Sequence, residues 1–210
     1  MQLNPSKCKE MVINFLHYNS CELQSIVTGG AFIERVKSFK LLGVYISDDL
    51  TWVAHCDYVM KKANRRLYAL RQLKKARVPS SDIVSVYCSL IRSALEYASV
   101  VFSSLPNYLA DSIESIQKRA LAIIFPNSTY GEALVESGLS TLHERRAVAC
   151  AKFVESIEPG NPIYPMLHDR VVENTSSISL RSGRTDHPSL VKTERFKNFV
   201  TVKYQFSGLD

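Results

Sequence analysis

The chain has 210 residues, of which 46% are hydrophobic and 22% are charged. This composition is typical of a globular protein and excludes collagen-like and low-complexity chains. The longest apolar run, residues 120–125, is too short for a transmembrane helix, and the N-terminus has no pattern of a secretory signal peptide. The five cysteines lack short spacings, which predicts reduced thiols in the cytoplasm or nucleus rather than disulfides or a zinc site.

The net charge of +6 is concentrated in one segment of the chain. Between Thr51 and Pro79 there are eight basic residues and a single acid, Asp57, so the remainder of the chain is almost neutral. Localised positive charge is typical of nucleic-acid-binding surfaces, because Lys and Arg pair with phosphates and release counterions.

The first fifty residues predict a small antiparallel β layer. Residues 11–15 form a short apolar run, and residues 25–28 lead into Gly29-Gly30, which is a strong hairpin signal. The return strand is expected to begin at Ala31. Residues 39–46 then predict another, buried strand.

A helical period begins after Asp49. Apolar residues recur at steps of three and four, which places them on one face of a long helix, with the basic residues off that face. The members of this stripe are Trp52, Cys56, Val59, Ala63, Leu67, Leu70 and Leu73. Ser47, Asp48 and Asp49 are interpreted as its N-terminal cap and first-turn acids.

Two further helices follow. Pro79 stops the first helix, and Ser80 or Ser81 is expected to cap the second. The second helix is predicted to bury Ile83, Tyr87, Leu90, Ala94 and Ala98. The third lies between Pro106 and Pro126 and is predicted to bury Leu109, Ile113, Ile116, Ala120 and Ile124.

Two capping boxes predict two more helices. The first pairs Thr129 with Glu132 and is expected to close at Gly138. The second pairs Thr141 with Glu144 and continues through residue 157. From the proline-rich break at residues 159–162 to the end of the chain, we expect an irregular tail. The predicted fold class is therefore α+β, with strands in residues 1–50, a mainly helical bundle in residues 51–158 and a tail in residues 159–210.

Five phrases, in this order, resemble signatures of one enzyme family. They are LNPSKC at residues 3–8, KLLGVYI at residues 40–46 followed by DLTW at 49–52 and His55, IRSALEYA at residues 91–98, IESIQKRAL at residues 113–121, and TERFKN at residues 193–198. The family is that of non-LTR (LINE-type) retrotransposon reverse transcriptases, RNA-directed DNA polymerases of mobile elements. The resemblance covers the end of the palm and the thumb-like region of these enzymes.

The resemblance implies a polymerase fragment without catalytic machinery. In the family, aspartates of an earlier palm strand and of a YxDD turn hold two Mg²⁺ ions, and both elements precede the phrase at residues 3–8. We therefore expect a palm remnant in residues 1–50, a thumb-like region in residues 51–158, no catalytic residues, no metal site, no cofactor and no polymerase activity. The alternative is a retained stand-alone helical module that binds nucleic acid or protein.

Three other positions are considered as possible site residues. Residues 45–49, YISDD, resemble a YxDD turn with one residue too many, and we interpret them as part of the helix cap instead. Lys7 matches the lysine of the first phrase but is expected to be a solvated loop residue. His55 is expected to pack and hydrogen-bond against the strands.

The basic helix is the best candidate site. The expected nucleic-acid-binding residues are Lys61, Lys62, Arg65, Arg66, Arg71, Lys74 and Lys75. They would hold the backbone of RNA or of an RNA/DNA duplex weakly and without sequence preference. A solvated helix face explains these residues equally well. Arg145 and Arg146 either extend the binding surface or pair with acids nearby. No membrane contact is expected, whereas exposed strand edges predict self-association.

Overall fold

The computed structural model describes residues 4–14 and 23–165. The predicted irregular tail from residue 166 onward, the phrase at residues 193–198, and Leu3 and Phe15 lie outside the described residues. Within the described ranges short strands precede the helices, which confirms the predicted α+β class. No helix in these ranges is both long and apolar enough to cross a membrane.

The chain divides into two compact units, Met1–Arg65 and Arg66–Asp210. The division falls inside a single helix, α1 (Val53–Lys75), whose backbone is continuous across it. The predicted domain limits at residues 50 and 158 remain predictions.

The first unit contains short strands in two-stranded pairs rather than one layer. After a 3₁₀ turn at Pro5–Lys7, the strands are β1 (Lys9–Glu10), β2 (Val27–Thr28), β3 (Ala31–Phe32), β4 (Glu34–Arg35), β5 (Ser38–Leu41) and β6 (Val44–Ser47). The pairs β2–β3 and β5–β6 are antiparallel, whereas β1 and β4 run parallel with Lys9 opposite Glu34.

The predicted strand over residues 11–15 is wrong for residues 11–14, which are irregular. The strand lies just before this apolar run. Strand β1 is stabilised by Glu10, whose carboxylate accepts hydrogen bonds from Ile26 N at 3.0 Å and from Arg35 Nη2 at 2.7 Å. These bonds lower the pKa of Glu10, with the Ile26 amide as the largest cause.

The Gly29-Gly30 hairpin is confirmed. Val27 pairs with Phe32 across the turn, and both glycines have positive φ, 60° and 79°. Two successive residues with positive φ are what a type I′ hairpin turn requires, and glycine adopts them without a steric penalty.

The prediction of one buried strand over residues 39–46 is wrong. The segment is a second hairpin, β5–β6, that turns at Leu42 and Gly43 with φ of 47° and 89°. Leu42 at its tip is 84% exposed, whereas Val44 after the turn is buried. Apolar residues fill both the turn and the strands, so the hydrophobic pattern conceals the turn.

Helix α1 has the predicted buried stripe, but its predicted cap is wrong. Six of the stripe's seven members are buried and Leu73 is half-buried; the buried ones are Trp52, Cys56, Val59, Ala63, Leu67 and Leu70. No acid lies in the first turn of α1. The Asp49 carboxylate instead accepts hydrogen bonds from Ser47 Oγ at 2.6 Å and from Thr51 N at 3.0 Å. Asp49 therefore closes the turn before the helix, and these bonds lower its pKa, with Ser47 as the largest cause.

The second predicted helix is interrupted by a π-helical turn. It consists of α2 (Ser80–Val86), a π-helical turn (Tyr87–Arg92) and α3 (Ser93–Glu96). The predicted cap is wrong, because α2 begins at Ser80 with Pro79 at the N-cap and has no side-chain cap. The predicted stripe is also wrong after Tyr87. A π-helical turn contains more residues per turn than an α-helix. The helix therefore buries Ile91 and Leu95 rather than Leu90 and Ala94.

The last three described helices follow the predictions closely. They are α4 (Asn107–Ile124), α5 (Tyr130–Ser137) and α6 (Leu142–Glu155), and α4 packs against α2, α5 and α6. The five apolar residues predicted for α4 are all buried. Both capping boxes are present, and Gly138 ends α5 with φ of 65°.

Candidate nucleic-acid interface

The candidate site is the surface of α1 opposite its buried stripe. Cys56, Ala63 and Leu70 are completely buried and fix which face of the helix is turned inward. Residues at steps of three or four from Lys61 share the opposite face, because an α-helix has 3.6 residues per turn. The orientation of the basic residues therefore follows from the burial of the stripe.

Five of the seven predicted site residues are exposed on this helix. We call them the α1 cations: Lys61, Lys62, Arg65, Arg71 and Lys75. From the first to the last they extend for about 21 Å, at a rise of about 1.5 Å per residue. Asp57 is the only acid on α1. The surface is therefore strongly positive along most of its length.

The other two predicted residues are used within the helical unit. Lys74 Nζ donates to the carbonyl oxygen of Ile124 at 2.7 Å. Ile124 is the last residue of α4, where carbonyl groups lack a partner within the helix and a cation is favourable. Arg66 donates through Nη1 to the carbonyl oxygen of Leu90 in the π-helical turn. Both side chains are half-buried. Their assignment to the binding surface stays a prediction, and in the structure both side chains bond to neighbouring helices.

No ion pair between described residues neutralises the α1 cations. The ion pairs seen in this part of the chain involve Lys9, Arg35, Arg92 and Arg145. An unpaired exposed cation retains its capacity to pair with an external anion. The α1 cations thus offer five such groups along one helix.

Arg145 and Arg146 do not extend this surface. Arg145 Nη2 lies 3.0 Å from Glu96 Oε2, and its Nε donates to the other oxygen of the same carboxylate. This pairing raises the pKa of Arg145 further. Arg146 is buried. Of the two alternatives for this cluster, pairing with an acid is the one that the structure shows for Arg145.

Two single-residue predictions are confirmed. His55 is only 1% exposed, and its Nδ1 accepts a hydrogen bond from Tyr45 N of β6 at 3.3 Å. Burial lowers the pKa of His55, which favours the neutral ring that can accept this bond. Lys7 is exposed at the end of the 3₁₀ turn.

One feature of the candidate surface was not recognised from the sequence. Tyr68 lies in the middle of the α1 cations and is 64% exposed. Its spacing of seven residues from both Lys61 and Lys75 is the available signal, because seven residues correspond to two helical turns.

The described residues contain no group of three or more His, Cys, Asp or Glu side chains that could hold a metal ion. A buried polar cluster does occur in the helical unit, where Tyr87 Oη donates to Gln117 Oε1 at 2.7 Å. Gln117 Nε2 in turn donates to Tyr130 Oη at 3.1 Å and to the carbonyl oxygen of Ser140 at 3.0 Å. Burial raises the pKa of both tyrosines. The cluster connects α4 with its neighbours and is structural.

A protein-family model matches part of the chain. The family model described as "Alkylated DNA repair protein alkB homolog 8, N-terminal" matches residues 52–93. These residues contain all of α1, α2 and the π-helical turn. The matched segment is a fifth of the chain and includes all seven predicted site residues. No curated protein and no solved structure matches the chain.

This match overturns the interpretation of the chain as part of a retrotransposon reverse transcriptase. The matching family is not a polymerase, and the match at residues 52–93 overlaps two of the phrases on which that interpretation rested. It includes Trp52 and His55 of the second phrase and the first three residues of the phrase at residues 91–98. The structure explains why such phrases mislead. Gly43 forms a hairpin turn, His55 bonds to a strand, and Ile91 and Leu95 fill a helical core. These residues serve local structure, so the phrases do not identify the enzyme.

Proposed function

We propose that the chain is a helical nucleic-acid-binding module that contacts the phosphate backbone through the α1 cations. The observation that carries the proposal is the exposed row of five cations on one helix, with no acid paired to them among the described residues. Phosphates are the anions that such a row fits best, since they repeat at short intervals along a nucleic acid.

The family match supports the same class of partner. The matching family is named for a DNA repair protein, and the match includes the helix that carries the α1 cations. Binding through phosphates alone would be independent of sequence, because the backbone is the same at every nucleotide. We therefore expect weak binding that decreases steeply as the salt concentration rises.

The test is a comparison of two triple variants with equal changes in charge. The first variant, K61Q/R65Q/K75Q, removes three α1 cations. The control, K7Q/K37Q/K152Q, removes three exposed lysines that lie outside α1. Fluorescence anisotropy with a labelled 12-nucleotide single strand, in about 50 mM salt, measures the affinity of each.

The expected result is a loss of affinity of roughly tenfold or more for the α1 variant and less than about threefold for the control. Circular dichroism melting of both variants checks that the exposed substitutions leave the fold intact. Equal losses in the two variants would show that net charge rather than the α1 surface determines binding, and would overturn the proposal.

A further inference from the structure

Tyr68 is an exposed aromatic residue that lies among the α1 cations. It is 64% exposed and lies on the outward face of α1. Within one turn on either side its four neighbours on this face are all exposed: Asn64, Arg65, Arg71 and Gln72. No acid and no apolar side chain among these neighbours provides a surface on which the ring can pack.

Four other tyrosines in the described part of the chain have side-chain partners, whereas Tyr97 and Tyr108 are, like Tyr68, more than half exposed. The Tyr58 ring lies 5.0 Å from the Tyr45 ring, and Lys40 Nζ lies 4.4 Å from the Tyr58 centroid. Tyr87 and Tyr130 belong to the buried polar cluster. The side chain of Tyr68 makes no hydrogen bond or ring contact with another described residue. Its ring face is therefore available to a flat partner.

We propose that the α1 surface prefers single-stranded nucleic acid, with one base stacked on Tyr68 while Arg65, Arg71 and Lys75 pair with the flanking phosphates. This inference rests on the proposed function and specifies its ligand. In a duplex each base is already stacked on both sides, so an aromatic residue on a straight helix cannot reach a base face. An unpaired base exposes that face, and every base can stack on an aromatic ring.

The predicted contact is independent of the phosphate contacts and can be separated from them. An abasic 12-nucleotide strand carries the same phosphates as a 12-nucleotide thymidine strand but no bases. Wild-type protein should bind the thymidine strand about fivefold or more tightly than the abasic strand, which is the lower end of measured stacking contributions. A 12-base-pair duplex has no free base face, so its binding should depend on its phosphates alone, as that of the abasic strand does. Its affinity should exceed that of the abasic strand only through its larger number of phosphates.

Variants of Tyr68 then locate the contact. Tyr68→Ala should lower the affinity for the thymidine strand to that for the abasic strand and leave the abasic affinity unchanged. Tyr68→Phe should retain the preference, because the ring provides the stacking. Tyr108→Ala, which removes another tyrosine that is 60% exposed but lies at the start of α4, is the matched control and should change neither affinity.

The outcomes distinguish the two proposals. If wild-type protein binds the thymidine and abasic strands equally, the stacking inference is wrong while the proposed function stands. If Tyr68→Ala keeps the preference for bases, stacking occurs elsewhere and the assignment to Tyr68 is wrong. If wild-type protein binds none of the three ligands in about 50 mM salt, the proposed function itself fails.

Discussion

Replacing Arg77 with glycine should stabilise the protein. After α1, Val78 N donates to the carbonyl oxygen of Leu73 at 3.2 Å, and Arg77 N donates to that of Lys74 at 3.1 Å. This pair of bonds is the Schellman motif, in which the residue after the cap takes a left-handed conformation and is usually glycine. Arg77 occupies this position with φ of 58°.

The expected magnitude follows from two opposing terms. A residue with a Cβ atom is strained by about 1–2 kcal/mol in the left-handed region. Glycine removes that strain but gives the unfolded chain more freedom, which costs about 0.4–1 kcal/mol. The central values of these two terms differ by about 0.8 kcal/mol, so Arg77→Gly should raise the free energy of unfolding by about that amount. Urea unfolding measures this change as a higher midpoint with an unchanged slope.

A second Schellman motif in the same chain provides the matched control. At the end of α5, Leu139 N donates to Leu134 O at 3.0 Å, and Gly138 N donates to Val135 O at 3.1 Å. Gly138→Ala should lower the free energy of unfolding by about 1 kcal/mol. Arg77→Ala removes the charge but keeps the strain and should have little effect. If Arg77→Ala stabilises the protein as much as Arg77→Gly does, relief of charge repulsion and not of strain is the cause.

Two further predictions concern local interactions. Burial lowers the pKa of His55 below its ordinary value of 6.5, so the unfolded chain takes up a proton before the folded one does. The contribution of His55 to the free energy of unfolding should therefore be complete above about pH 6.5 and decrease as the pH falls below that value. Urea unfolding of His55→Gln across this range should show a weaker pH dependence. If the pH dependence is the same as in the wild type, a group other than His55 causes it. Thr141→Ala removes the capping box of α6 and should cost about 1 kcal/mol in thermal unfolding, whereas Thr141→Ser should cost little. Equal losses in the two variants would exclude the hydroxyl as the stabilising group.

The elements that the sequence predicts well are those whose signals are local. The capping boxes at Thr129 and Thr141 need only a hydroxyl and a carboxylate three residues apart, and both form as predicted. The Gly29-Gly30 hairpin depends on two adjacent residues that tolerate positive φ. The apolar stripe of α4 is likewise a property of one uninterrupted helix.

The predictions that fail depend on contacts or backbone geometry that a repeat does not encode. After Tyr87 the buried positions are Ile91 and Leu95, at steps of four, rather than Leu90 and Ala94. Steps of three and of four both fit a helical pattern, so the sequence does not show which of these residues the π-helical turn brings to the buried face. Leu42 occupies a turn although it is an apolar residue with positive φ.

In the candidate site, too, some features are evident from the local sequence and others depend on contacts with distant residues. The positive charge of α1 and its separation from the apolar stripe are evident in the sequence. The hydrogen bonds that Lys74 and Arg66 donate are not evident, because their acceptors are carbonyls of Ile124 and Leu90, distant in the chain. The proposed self-association through exposed strand edges remains a prediction that light scattering can test.

The salt dependence of binding to a 12-nucleotide single strand tests the central claim most directly. Five phosphate contacts by the α1 cations predict a slope of about −3.5 in a plot of log K against log salt concentration, at about −0.7 for each contact. Between 50 and 200 mM salt the affinity of the wild-type protein should then fall by about 100-fold. No binding at the lower concentration, or an affinity that does not change with salt, would contradict the assignment of α1 as a phosphate-binding surface.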